Sequence, residues 1–84
     1  MNEKPFKLQP DQPATYRIRF QEALDESWSE MVGGMAVHVT RQEGEATVTT
    51  LEGQLADQAA LSGVLNFLYD FGFSLLSVEC LAQP

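Results

Sequence analysis

The stretch "LADQAALSGVLNFLYDFGFSLLSVECL", Leu55 to Leu81, limits the possible folds of this chain more than any other. Asp57 stands where an N-cap belongs, and the run from about Gln58 to Phe71 that follows contains no proline. At ~100° per residue, Ala60, Leu61, Val64, Leu65, Phe67, Leu68 and Phe71 share one broad stripe. Ser62, Gly63, Asn66, Tyr69 and Asp70 fill the opposite arc. Gly72 supplies the stop, and "LLSVECL" then alternates as a strand. Leu76, Val78 and Cys80 fall on one face of it, Ser77 and Glu79 on the other. Fully burying one Leu or Phe stabilises by roughly 1.5–3 kcal/mol before entropy is charged against it. The stripe is therefore expected to form a main part of the core.

The preceding residues supply what this helix packs on. "TYRIRFQ" alternates strictly, with Tyr16, Ile18 and Phe20 pointing one way and Arg17, Arg19 and Gln21 the other. "LDESWSEMVGGM" switches to helical spacing through Leu24, Trp28, Met31, Val32 and Met35. Asp25 is placed to cap this short helix and Gly33–Gly34 to end it. "MAVHVTR" and "ATVTTLEG" read as a hairpin around "QEGE", with Val37 and Val39 facing opposite to Ala36, His38 and Thr40. In the second of these strands Val48 and Leu51 lie on opposite parities. Either a threonine faces inward or the strand bulges near Gly53.

The resulting order predicts an α+β chain of the ferredoxin-like, split βαββαβ type. It has a four-stranded antiparallel sheet, both helices on one face and a short first helix. If residues 25–32 form only a turn, the alternative is a meander-like sheet under one dominant helix. Residues 1–14, with Pro5, Pro10 and Pro13, read as a flexible N-terminal tail that Phe6 and Leu8 tack onto the domain. Residues 15–84 read as a single small domain.

Charge and cysteine usage narrow the function classes. Twelve acidic residues against five basic ones give a formal charge of −7, a field that repels phosphate backbones. Nucleic acid and anionic membranes are disfavoured as partners. Cys80 is the only cysteine, which excludes an internal disulfide and a cysteine-based metal site. It fits a reducing, cytoplasmic setting. The opening residues have no apolar core, and no apolar run approaches the ~20 residues that cross a bilayer. A chain this short buries only roughly 60–65% of its unfolded surface, so its stability margin is thin.

The expected open sheet face carries Arg17, Arg19, His38, Thr40, Ser77 and Glu79, with Thr47 or Thr49. Its plain reading is a solvated or self-associating surface. The sharper one is a small anion held by Arg17 and Arg19, two guanidinium groups at i, i+2 on one strand. Bases need exposed aromatics to stack on, and Tyr16 and Phe20 share the inner face with Ile18, so an RNA reader is not expected. His38 is the sole histidine, and Cys80 alternates in phase with Leu76 and Val78 as a buried, inert core thiol. No catalytic residue, metal ligand or cofactor site is assigned. Trp28 is expected to pack in the core; with Met31 and Met35 its alternative role is to line a pocket or an adaptable contact surface. The candidate binding surface is therefore Arg17, Arg19, His38, Glu79, Trp28 and Met31.

"TYRIRF", "ALDESWSEMVGGMAVHV" and "TVTTLEGQLADQAALSGVLNFLYDFGFSLLSVECL" together resemble a family of small, uncharacterised bacterial proteins. Its members share "LDxxWSxxxxGM" followed by "TxLxGxLxDQAALxGLLxxLxxLGLxLLSV". The match spans about residues 15–81. The part around Leu51, Gly53, Leu55, Asp57, Gln58, Ala59, Ala60, Leu61 and Gly63 is the most specific. Ser62 departs from the pattern, since family members often carry histidine there. The resemblance implies a compact fold in a bacterial cytoplasm and no activity. Gly63 has no packing reason in the sequence and suggests close approach of another backbone or subunit. The expectation is a small non-enzymatic domain that forms a homodimer or binds a protein partner. The alternative is a regulatory module that recognises a small molecule.

Overall fold

The computed structural model describes residues 10–41, 44 and 46–83. Strand β1 spans Ala14–Gln21, and a 3-10 helix follows at Glu26–Val32. Strands β2 (Ala36–Thr40) and β3 (Val48–Leu55) precede helix α1 (Gln58–Asp70), and β4 (Leu75–Ala82) closes the chain. The sheet has the order β2-β3-β1-β4, with every neighbouring pair antiparallel. The chain is thus α+β, with an open four-stranded antiparallel sheet and two helices.

Alternation in β1 decides which face is covered. Ala14, Tyr16, Ile18 and Phe20 are buried, and with Leu51, Leu55 and Val37 they form one cluster with Val32, Val64 and Leu68 of the two helices. Both helices therefore lie against the same face. The first is a full seven-residue element and not a bare turn, but it is wound as a 3-10 helix. Asp25 caps it by accepting from the Ser27 backbone N–H, and Gly33 ends it at a φ of 73°. A Cβ on Gly33 would lie 2.7 Å from Leu55 Cδ2 and push that methyl aside, while the left-handed backbone itself favours glycine. Asp57 caps α1, its Oδ1 accepting from Ala60 N at 2.8 Å.

The parity conflict in β3 resolves by an inward threonine. β3 pairs with β1 in unbroken register from Val48 to Leu55, without a bulge at Gly53. Thr49 is fully buried, and so does not belong to the open face. Its hydroxyl donates to Glu22 O at 2.6 Å and accepts from Leu24 N at 3.2 Å. Those bonds hold the loop after β1, where Glu22 sits in the left-handed region at a φ of 96°. A Cβ on Gly53 would lie only 3.2 Å from Met35 Cα, so this glycine admits the backbone leading into β2.

Structure among the described residues already includes positions before residue 15. Ala14 is already a buried β1 residue, Gln58 N donates to Pro10 O at 2.9 Å, and Gln83 Nε2 donates to Gln12 O at 3.5 Å. Phe6 and Leu8 lie outside the described residues, as do Gln42, Glu43 and Glu45 of the β2–β3 turn. Among the described residues no helix is long and apolar enough to cross a membrane.

Candidate functional site

The open face is built in cross-strand rows. Arg17 lies opposite Glu52 on one side and Glu79 on the other, and Arg19 opposite Thr50 and Ser77. His38 follows in the second row, opposite Thr50 on β2. Arg17 is 3.4 Å from each carboxylate, so its charge is already met within the sheet. The two arginines thus do not form a matched anion clamp: one is engaged by two carboxylates, the other is exposed beside hydroxyls. Partly exposed pairs of this kind contribute little stability each, ~0–1 kcal/mol. Their geometric effect is to link β3, β1 and β4 across the face.

Trp28 and Met31 do not come together as a pocket. Trp28 is half-buried against two phenylalanines of the α1 region, 5.8 Å from the Phe67 centroid and 5.4 Å from that of Phe71. The aromatic chain continues from Phe71 to Phe73 and on to Phe20, which stacks on Phe73 at 5.0 Å. Met31 points outward at 58% exposure, while Met35 is buried. Core packing accounts for Trp28, and Met31 is a surface residue.

What sequence reasoning missed is β4. All eight of its residues are at least partly accessible, although six of them are apolar or cysteine. Leu75, Leu76, Val78 and Leu81 are 50%, 51%, 38% and 39% exposed. Cys80 is half-buried, not a core thiol. The pairing with β1 also slips at both ends, so that Leu75 lies opposite Phe20 while Val78 and Cys80 lie opposite Ile18 and Tyr16. Leu75 thereby takes the place on the helix-side row that strict alternation gives Leu76. The helix layer does not reach this row. Between α1 and β4 runs a groove of about 240 Å³ lined by Leu65, Leu68, Tyr69, Phe73 and Leu75.

The outer edge of β4 pairs with no strand among those described; it carries no proline or lysine, and its guards are Glu79 and the slips at its two ends. A larger, shallow cleft of about 610 Å³ lies at the opposite edge, where Asp25 and Glu26 face His38 and Arg41. Tyr16 adds one buried polar atom: its hydroxyl has no hydrogen-bond partner among the described residues. Burial, with the nearby Cys80 adding to it, pushes its phenol above the usual value. No group of three or more His, Cys, Asp or Glu among the described residues is placed to hold a metal ion.

No curated protein and no solved structure matches the chain. A family model does match, over residues 15–79, from the start of the sheet to the charged residue at the centre of β4. The chain belongs to the family described as a domain of unknown function, DUF8691.

Proposed function

We infer that this is a small bacterial interaction domain, working in a reducing cytoplasm, that joins to a protein through its β4 edge. The observation that carries the reading is an eight-residue edge strand whose leucines and valine stay exposed. Apolar side chains along an unpaired strand offer main-chain hydrogen bonds for affinity and side-chain pockets for specificity. The ferredoxin-like reading of the fold is supported by the strand order, which from the other edge runs β4-β1-β3-β2. Each helix-bearing crossover then skips one strand. The departures are the 3-10 winding of the first helix and the bareness of β4.

Absolute mass in solution across a concentration series tests the reading. The expected result is a species heavier than the 9.3 kDa chain that reverts to 9.3 kDa when Val78→Lys places a charge on the edge. A 9.3 kDa species at every concentration, with or without the lysine, would remove self-association as the form this interaction takes.

The 610 Å³ cleft favours a second reading, a regulatory module that binds a small polar molecule between Asp25, Glu26, His38 and Arg41. A thermal-shift screen of small metabolites separates the two, because a ligand at 100 times its Kd stabilises by about 2.7 kcal/mol. Loss of that shift in His38→Ala would locate the ligand in the cleft.

A further inference from the structure

We propose that the partner of the β4 edge is a second copy of this chain, joined antiparallel about a two-fold axis at Val78. The proposal rests on the interaction reading above and adds the occupant and its register. A two-fold perpendicular to the sheet pairs each residue with one on the same face of the other copy, because side chains alternate through the regular stretch from Ser77 to Cys80. The axis must therefore pass through a residue paired with itself. Three residues near the middle of β4 offer themselves: Ser77, Val78 and Glu79.

The side chains choose among them. An axis at Glu79 sets two carboxylates directly across from each other, a destabilising like-charge pair. An axis at Ser77 sets Glu79 of the open face across from the second copy's Leu75, which the slip has moved to the helix-side row, so the faces do not match. An axis at Val78 places Val78 against itself and Ser77 against the second copy's Glu79, both within the stretch of β4 whose alternation is regular. Apolar then meets apolar, and the carboxylate meets a hydroxyl donor. Glu79 keeps Arg17 at 3.4 Å on its own sheet, so its charge is offset before the second copy arrives.

The same axis explains the groove. It leaves both α1 helices on one side of the joined sheet, so the 240 Å³ groove of each copy opens toward the other. Tyr69, 80% exposed on that flank of α1, and Leu75 below it form the rim that comes together. With strands ~4.8 Å apart, the helix-side rows of β4 continue from one copy into the next. The strip that α1 leaves uncovered becomes the middle of an eight-stranded layer.

Single-thiol crosslinking tests occupant and register together. Each variant carries Cys80→Ser, so that the introduced cysteine is the one thiol in the chain. Val78→Cys places two thiols at the axis, whereas Leu75→Cys places them six residues apart along the strands, ~20 Å. A disulfide needs Cα atoms within ~7 Å. The expected result is a disulfide-linked dimer from Val78→Cys at least ten times faster than from Leu75→Cys, with both reduced proteins as heavy as wild type. Equal rates in a protein that is a dimer by mass would overturn the two-fold at Val78 and leave the interaction reading standing. A wild-type monomer at every concentration would overturn both self-association and the proposal. A monomer that dimerises only after removal of residues 1–9 would show the N-terminus in the groove, and that too would overturn it.

Discussion

Two buried polar side chains show how single residues set the geometry around them. Thr49 replaces two backbone partners that the loop at Glu22–Leu24 would otherwise find in water. Thr49→Val keeps the shape and strands both groups, so denaturant titration should show a loss of about 1–3 kcal/mol. Thr49→Ser should recover most of it. Tyr16 is the opposite case, a buried hydroxyl with no partner among the described residues. Tyr16→Phe should raise the unfolding free energy by about 1 kcal/mol at neutral pH. Burial raises the folded phenol above its ordinary value of 10.0, so the unfolded chain gives up this proton first as pH rises. Stability is therefore intact below pH 10 and declines above it toward the raised folded value, and Tyr16→Phe should remove that part of the decline.

Among the elements, α1 has one position where helix chemistry and assembly make separable statements. Gly63 is exposed on α1, and a Cβ there would meet nothing within 4 Å. Among the described residues, no backbone from outside its own helix comes within 4 Å of that point. Gly63→Ala should stabilise by about 1 kcal/mol in thermal unfolding and leave the mass in solution unchanged. A stabilised protein of altered mass would place a second subunit at this glycine instead of at β4.

Both helices were legible in the sequence because caps and stops are local. Asp25, Asp57, Gly33 and Gly72 carry their own signals, and the structure uses each of them. β1 was legible because one face is covered and the other wet, which forces alternation. β4 was misread for a physical reason: apolar alternation reports what a strand is able to bury, not whether anything lies over it. Cys80 therefore looked like core and is half-buried. The same limit hid the Arg17–Glu52–Glu79 row, which depends on a register among three strands remote in sequence. Thr49 was half visible, since the parity conflict pointed to it, but its loop partners lie more than twenty residues away.

For the molecule as a whole, charge opposes what the edge favours. Each chain carries −7, so two copies repel at long range. Salt screens that repulsion, the Debye length falling from about 10 Å at 0.1 M to about 3 Å at 1 M. Self-association through apolar side chains should therefore tighten severalfold between low and high salt, as read by light scattering. A basic partner would behave in the reverse way, weakening as salt rises.

The two sheet edges are unequal, and the inequality bears on how far assembly runs. β4 offers eight residues and β2 only five. A head-to-tail union of β4 with another molecule's β2 would leave a fresh edge at each end and extend without limit. A union of β4 with β4 spends the same edge twice and leaves only the two short strands outermost. Under the proposed union, the unequal edge lengths would end assembly at a pair in place of a fibre.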